Sequence, residues 1–322
     1  MKHYLFNILF VIFVQNIKYL VSLNAINPSI TVKSIFLDFK EITKAGLAIS
    51  VVFSSLAGYL LGIYNFNAAT ITTLLLLAIG GYCMVGASNA FNQIIEKDLD
   101  ALMDRTKNRP IPSGRMSVNT AFIIATLLTI LGLVILYSIN PKSAMFGAIS
   151  IFLYTCVYTP LKTVTPLSVF VGAFPGAIPF MLGWVAATDD FGIEAGTLFL
   201  IQFFWQFPHF WAIGWFLFDD YKKGGFFMLP TGQRNKGTAM QVILYTMWLI
   251  VASLLPSFGY TGRLYLTTVS AIAVGLIGLW MLYYAMKLYK NQNDVSAKKL
   301  MLVSIAYISL IQLVYILDKF LR

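Results

Sequence analysis

The chain has 322 residues, of which 58% are hydrophobic and only 11% are charged, and its formal net charge is +10. A soluble domain carries about 25% charged residues, so this composition excludes an ordinary soluble protein. Apolar stretches of about 20 residues recur without the period of two that marks a transmembrane β-barrel, and they predict an all-α polytopic membrane protein.

The first element in chain order is an apolar N-terminal extension, residues 1–35. Its stretch HYLFNILFVIFV suits the hydrophobic region of a signal peptide, an extra span or an interfacial helix. Lys18 interrupts the apolar run and no small-residue cleavage site follows, so these alternatives stay open. The extension is neither Arg-rich nor Ser-rich, which argues against a mitochondrial transit peptide and favours a bacterial inner membrane. Residues 36–322 are predicted to form one domain.

Nine transmembrane helices are predicted after this extension, at about 44–63, 69–95, 118–138, 143–160, 167–187, 195–218, 238–258, 264–286 and 300–318. If the first begins inside the cell, seventeen basic residues fall on the inner side and four on the outer side. Positive residues collect in cytoplasmic loops, so this bias supports the topology and explains the net charge without a nucleic-acid partner. The inner residues are Lys33, Lys40, Lys44, Lys97, Arg105, Lys107, Arg109, Arg115, Lys162, Lys222, Lys223, Arg234, Lys236, Lys287, Lys290, Lys298 and Lys299, and the outer ones are Lys142, Arg263, Lys319 and Arg322.

An acidic cluster follows the second predicted span, in the stretch FNQIIEKDLDALMDRTKNRP at residues 91–110. Asn92, Glu96, Asp100 and Asp104 are four residues apart, so in a helix they share one face, which Asn89 extends. Carboxylates on one face repel each other unless a cation joins them, and Mg²⁺ prefers one or two carboxylates plus substrate phosphates. The alternative is a solvated helix end of mixed charge. A bound diphosphate would supply such phosphates. The basic residues that follow the cluster and can bind the same diphosphate are Arg105, Lys107 and Arg109.

A second acidic cluster, Asp219 and Asp220, ends the sixth predicted span and precedes Lys222 and Lys223. It can hold a second metal ion or the far end of a diphosphate, or it is a surface of mixed charge. The loops after the two clusters echo each other, with RPIPSGR at residues 109–115 and MLPTGQR at residues 228–234. Pro and Gly in both loops predict rigid turns, each closed by an Arg.

His209 lies within the sixth span, directly after Pro208, which removes one backbone donor and should bend the helix. An ionisable residue inside a membrane span is by default a functional hypothesis. His209 can ligate haem iron, orient a substrate or hydrogen-bond a neighbouring helix, and all three alternatives stay open. The two cysteines, Cys83 and Cys156, lie in apolar segments without metal-ligand spacing and are interpreted as core residues.

Three blocks carry a resemblance to a known family: NQIIEKDLDALMDRTKNRP, YTPLKTVTPLSVFVGAFPGAIPFMLGW (158–184) and FFWQFPHFWAIGWFLFDDYKKGGFFMLP (203–230). They resemble the UbiA-type intramembrane prenyltransferases, and in particular the branch that farnesylates haem. The resemblance covers about residues 36–320. It implies nine transmembrane helices around a central cavity, with two acidic motifs that face each other on the cytoplasmic side and an apolar tunnel for the prenyl tail.

The resemblance also implies a reaction, in which the farnesyl group of farnesyl diphosphate is transferred to a vinyl group of haem b, giving haem O and diphosphate. Mg²⁺ is the implied cofactor and haem b is a substrate, and the implied partners are the lipid bilayer and a downstream haem A synthase. The implied catalytic residues are Asn92, Glu96, Asp100, Asp219 and Asp220, with Glu96, Asp100, Asp219 and Asp220 as metal ligands. The implied diphosphate ligands are Arg105, Lys107, Arg109, Lys162 and Lys222, and His209 is the implied haem ligand.

The sequence departs from the family at Glu96, where an Asp is usual, so the carboxylate reaches one methylene further and metal geometry can shift. The closest alternative is a prenyltransferase with a quinone-type or chlorophyll-type acceptor, against which the blocks PHFWAIGW and DDYKKGGFFMLP argue. A cation-coupled transporter is an alternative of another class, but transporter carboxylates usually lie near the midplane at broken helices. A non-catalytic haem-binding assembly factor would leave the acidic stripe unexplained.

Overall fold

The structure is a computed structural model that describes residues 32–322, and the prediction of a signal, span or interfacial helix in HYLFNILFVIFV lies outside this range. The chain divides into two units, Met1–Glu41 and Ile42–Arg322. The described part of the first unit, residues 32–41, lies in the helix Val32–Ile42, whose last residue belongs to the second unit. The boundary at residue 35 stays a prediction. Residues 32–322 contain helices and turns and no β-strand, which confirms the all-α class.

Within residues 42–322, nine long helices are joined by short connections. They are α1 (Ala45–Gly62), α2 (Ala68–Ile95), α3 (Val118–Ile139), α4 (Pro141–Leu161), α5 (Ser168–Thr188), α6 (Ile193–Phe216), α7 (Lys236–Phe258), α8 (Thr268–Asn291) and α9 (Asp294–Leu321). Two shorter helices, Lys97–Asp100 and Phe218–Lys223, follow α2 and α6.

Eight of these nine helices are long and apolar enough to cross a membrane, so the protein is a multi-pass membrane protein. The exception is α6, whose 24 residues give a length of about 36 Å but include the polar residues Gln202, Gln206 and His209. All three line an internal cavity. The structure is therefore compatible with the predicted nine spans, and α6 turns its polar groups towards the cavity.

Side-chain caps set where many of the helices begin. The Asn67 side chain accepts from the Thr70 backbone N–H at the start of α2, and Ser117, Asn140 and Asn235 do the same for α3, α4 and α7. The ninth predicted span, residues 300–318, lies within α9, which begins six residues earlier at Asp294 because Asn293 caps it. The eighth begins at Thr268 instead of 264 because Thr267 is its cap.

The backbones of α1 and α5 touch where each helix has a glycine. A Cβ on Gly58 would lie 2.0 Å from the Phe180 carbonyl oxygen, and a Cβ on Gly183 would lie 1.9 Å from the Ser55 carbonyl oxygen. Small residues permit this approach, as is usual between membrane helices. Other extensive contacts join α2 to α3, α5 to α6, and α6 to α9. Helices α1, α5, α6 and α9 therefore surround the centre of the bundle.

The last part of α4 departs from regular α-helix. Residues Leu153–Tyr158 form a π-helical stretch before the α-helix resumes at Thr159–Leu161. Such stretches occur frequently at functional sites because the wider turn re-aims side chains. Here Tyr154 and Tyr158 line the central cavity.

Candidate active site

A cavity of about 730 Å³ lies inside the bundle, within the usual size range of ligand pockets. Apolar side chains such as Val85, Val169 and Ile308 form much of its wall. The charged side chains that line it are Lys44, Glu96, Asp100, Arg105, Arg109 and Lys162. These four cations and two carboxylates come from the ends of α1, α2 and α4 and from the loop after α2, so one end of the cavity attracts anions.

The first acidic cluster does not form the continuous helical stripe that its spacing predicts. Helix α2 ends at Ile95, and Glu96 is its C-cap with φ −93 and ψ 9. The short helix Lys97–Asp100 then carries Asp100 into the cavity lining, beside Asn92 and Glu96. The chain turns after Asp100, so Asp104 leaves the predicted face and lies outside the cavity lining.

The two cavity carboxylates are each paired with a cation. Lys162 Nζ lies 2.7 Å from Glu96 Oε1, and Arg109 Nη1 lies 2.6 Å from Asp100 Oδ2. All four side chains are at most 12% exposed. Burial is the largest single influence on the pKa of Lys162 and lowers it, but Glu96, together with Tyr154 and Tyr221, outweighs burial and holds that pKa above its usual value. Pairing therefore allows the carboxylates of Glu96 and Asp100 to stay charged although they are buried.

Lys44 is a site residue that the sequence analysis missed, because it counted this residue only as one of the basic residues on the inner side. Lys44 precedes α1 and has φ 47 and ψ 57, a left-handed conformation that costs a residue with a side chain about 1–2 kcal/mol. Its ammonium donates to Asn92 Oδ1 at 3.4 Å. Burial, helped by the nearby Arg109 and Lys162 charges, lowers its pKa to about 7. The feature that distinguishes Lys44 is its positive φ, which is unusual for a non-glycine residue and cannot be read from the sequence.

The second acidic cluster meets the first through the loop after α2. Asp220 accepts from the backbone N–H of Asp104 at 2.7 Å and of Arg105 at 3.3 Å. Asp104 in turn pairs with Lys107 and Lys223, and these hydrogen bonds lower its pKa to about 2. The two clusters are therefore adjacent and on one side of the bundle. Asp220 holds the backbone that carries Arg105 and leads to Arg109.

The loops after the two clusters have the turns that were predicted for them. Gly114 and Gly232 have φ +77 and +72, where a residue with a Cβ would be strained. Arg115 Nη1 donates to the Asn108 carbonyl at 2.8 Å, and Arg234 binds Asp219 at 3.0 Å. Each Arg thus ties its glycine turn back to a neighbouring segment.

His209 lines the cavity from α6. Its Nδ1 lies 2.8 Å from the Ser304 Oγ of α9, and its ring stacks on Trp205 at a centroid distance of 4.7 Å. The helix continues through Pro208 to Phe216.

The structure brings most but not all of the predicted site residues to the cavity. Its lining contains Asn92, Glu96, Asp100, Arg105, Arg109, Lys162 and His209. Lys107, Asp219, Asp220 and Lys222 are not part of that lining. Lys107 and Asp219 are engaged by Asp104 and Arg234, and Asp220 by the loop backbone. The assignment of Asp219 and Asp220 as metal ligands, and of Lys107 and Lys222 as diphosphate ligands, stays a prediction.

The first cluster fits a hard cation. Asp100 Oδ1 is buried and has no hydrogen-bond partner, a costly arrangement for a carboxylate oxygen that a cation would relieve. In the described part of the chain, no three His, Cys, Asp or Glu side chains come together to hold a metal without other ligands. Glu96 and Asp100 supply the one or two carboxylates that Mg²⁺ prefers when substrate phosphates complete its shell.

A helical membrane bundle, with carboxylates and surplus cations at one end of a largely apolar cavity, defines an intramembrane enzyme for a substrate with an anionic head and an apolar tail. Residues 51–311 match the UbiA prenyltransferase family, and the chain belongs to this family. It is therefore a prenyltransferase.

Individual relatives agree with this assignment. The protoheme IX farnesyltransferase of Flavobacterium psychrophilum is 84% identical over 300 residues, which cover 93% of this chain and 100% of the relative. A solved structure of digeranylgeranylglyceryl phosphate synthase has a TM-score of 0.72 at 20% identity and covers 88% of this chain and 98% of its own. A UbiA homologue from Archaeoglobus fulgidus bound to DMAPP and Mg²⁺ has a TM-score of 0.61 at 15% identity and covers 85% and 98%. The two structures confirm the fold.

Proposed function

We propose that this prenyltransferase transfers the farnesyl group of farnesyl diphosphate to a vinyl group of haem b, giving haem O and diphosphate. The observation that carries the proposal is the 84% identity, over nearly the whole chain, to a relative named protoheme IX farnesyltransferase. The proposed place is the bacterial inner membrane, with the charged end of the cavity facing the cytoplasm. A haem A synthase that uses haem O remains the proposed downstream partner.

The charged end of the cavity suits the leaving group. Arg105, Arg109 and Lys162 line it, and cations placed where negative charge develops stabilise the departing diphosphate. Glu96 and Asp100 would hold Mg²⁺ there, with Asp219 and Asp220 as predicted ligands from the second cluster. When bound, the metal supplies further neutralisation of the diphosphate charge. The ion pairs of Arg109 and Lys162 keep both cations in position beside the carboxylates.

The apolar part of the cavity suits the prenyl group. The C1–O bond of farnesyl diphosphate breaks with its electron pair on the diphosphate, and C1 bonds to the terminal vinyl carbon of haem. The neighbouring vinyl carbon then takes the oxygen of a water molecule, which releases one proton. An apolar wall limits early capture of the allylic cation by water. The aromatic side chains of Tyr158, Trp205 and Phe210 line the same space.

The alternatives differ in what they explain. Membership of a prenyltransferase family argues against a cation-coupled transporter and a non-catalytic assembly factor. A quinone-type or chlorophyll-type acceptor would use the same charged end. It would leave unexplained a cavity-lining imidazole held by a neighbouring helix.

The proposal is tested with purified full-length protein in lipid nanodiscs, supplied with haem b, farnesyl diphosphate and Mg²⁺. Liquid chromatography with mass spectrometry should detect haem O and an equal amount of diphosphate. A parallel reaction replaces haem b with an aromatic quinone precursor. Prenylation of that precursor, with haem b unchanged, would reject the proposed acceptor and retain the family activity.

A further inference from the structure

The imidazole of His209 is held by Trp205, by Ser304 and by a hydrogen bond with the backbone of Met301. Trp205 stacks on it with an interplanar angle of 17°, and the Trp205 Nε1–H donates to the backbone carbonyl of Ser304 at 2.6 Å. The Ser304 Oγ lies 2.8 Å from His209 Nδ1. One residue of α9 therefore positions both rings through its carbonyl and its hydroxyl. Ser304 itself is fully buried and does not line the cavity.

The hydroxyl of Ser304 determines which nitrogen of His209 carries the proton. Ser304 Oγ also lies 2.7 Å from the Met301 carbonyl oxygen, which can only accept a hydrogen bond. The hydroxyl proton must therefore point to Met301, which leaves Oγ as an acceptor towards the ring. His209 Nδ1 must then be the donor, so the proton is on Nδ1 and the lone pair is on Nε2.

This arrangement is the one that metal-binding histidines use. Such a histidine binds the metal through one nitrogen and donates the other ring N–H to a neighbouring acceptor, which fixes the tautomer and the orientation of the ring. His209 is one of two histidines in the chain, and it is the one in the cavity lining. In that lining Met228 is the other side chain with a soft donor atom, a thioether.

We propose that Ser304 is a positioning residue that holds His209 as the Nδ1–H tautomer, so that His209 Nε2 ligates the haem iron of the acceptor. The proposal rests on the proposed function, because it assumes that haem b enters this cavity. It adds the ligating atom and the residue that orients it. Ligation would fix the position of the macrocycle, and thus of its vinyl groups, relative to the charged end of the cavity.

The test titrates ferric haem b into the purified full-length protein in nanodiscs, without farnesyl diphosphate, and follows the absorption and electron paramagnetic resonance spectra. Wild-type protein should show an imidazole-ligated iron, and His209→Ala should lose that signature. Ser304→Ala should bind haem about 10-fold more weakly or worse, as expected for loss of an outer partner of a metal ligand. Ser304→Thr keeps the hydroxyl and should restore the affinity to within about threefold of wild type.

Ser253→Ala is the matched control. Ser253 is another buried intramembrane serine that bonds its own helix, at Leu249 O, and a side chain of α9, at Tyr307. It does not line the cavity, and its loss should leave the haem spectrum unchanged. If Ser304→Ala does not fold, Ser304→Cys preserves the packing with a weaker acceptor, and it should still weaken haem binding.

The outcomes separate the two proposals. Wild-type protein that makes haem O, while Ser304→Ala keeps the wild-type spectrum and affinity, would overturn the positioning role and leave the function intact. An imidazole signature that persists in His209→Ala would overturn the ligand assignment. Wild-type protein that neither binds haem b nor makes haem O would overturn the proposed function itself.

Discussion

Replacing Asp220 with Asn should loosen the loop after α2 even when no metal is present. In the structure, the Asp220 carboxylate accepts from two backbone N–H groups of that loop, those of Asp104 and Arg105. If Asp220 acted only as a metal ligand, its charge would matter only when metal is bound. The two roles therefore make different predictions for the metal-free protein.

The size of the effect follows from the contacts. A hydrogen bond to a charged group contributes about 1.5–3 kcal/mol, and the lower figure applies because the Asp220 side chain is 15% exposed. Asn keeps one acceptor oxygen but loses the charge and the second acceptor. We therefore expect loop opening to become easier by about 1.5 kcal/mol, which is about tenfold in the opening equilibrium.

Hydrogen–deuterium exchange with mass spectrometry measures this directly, on protein in nanodiscs with EDTA present. Peptides that contain residues 104 and 105 should exchange about tenfold faster in Asp220→Asn than in wild type. Asp219→Asn is the matched control, because the Asp219 carboxylate pairs with Arg234 and not with the backbone of residues 104 and 105. Equal exchange in Asp220→Asn and wild type would refute the loop-holding role.

Three further predictions concern the charged end of the cavity. Asp100→Asn should lower the rate of farnesyl transfer by about 100-fold or more, while the protein remains folded and membrane-inserted. Product formation at the wild-type rate would show that Asp100 does not act on the diphosphate or its metal. Lys162→Met leaves the Glu96 carboxylate buried and unpaired, so it should lower the free energy of unfolding by about 3–5 kcal/mol, measured by thermal unfolding. Adding Glu96→Gln should recover most of the loss. An unchanged melting temperature in Lys162→Met would argue against the buried pair. Burial lowers the pKa of Lys44 to about 7, and a bound diphosphate would raise it again. The affinity for farnesyl diphosphate should therefore be constant below pH 7 and fall above it, and calorimetry at pH 8 should show proton uptake on binding. Lys44→Arg should keep the affinity and lose the uptake, whereas wild-type binding without uptake would contradict the lowered pKa.

The sequence was sufficient for the fold and for most of the charged residues that line the cavity, because both follow from local patterns. Runs of apolar residues located all nine helices. The exact helix ends depend on single polar caps such as Asn293, which a prediction based on the mean hydropathy of a long window does not detect. The break after Ile95 was missed because no Gly or Pro marks it, and the chain leaves the helix at Glu96. Asp104 was misplaced for the same reason.

Other features depend on contacts between distant parts of the chain. The role of Asp220 needs the loop after α2, more than one hundred residues earlier, and Lys44 needs the turn before α1 to bring its ammonium to Asn92. Neither contact leaves a signal in residue spacing. The Ser304 contact with His209 is of the same kind, since serine in a membrane helix usually bonds only its own backbone.

The polar face of α6 has a consequence for how the protein is made. Gln202 and His209 find side-chain partners on α9, at Gln312 and Ser304, and α9 leaves the ribosome after α6. Until then α6 is a poor candidate for stable insertion by itself, because polar side chains in lipid are costly. We therefore expect nascent chains that end before α9 to hold α6 loosely and to be cleared by membrane proteases. Completion of the cavity and release from quality control would then be a single event, set by the arrival of α9.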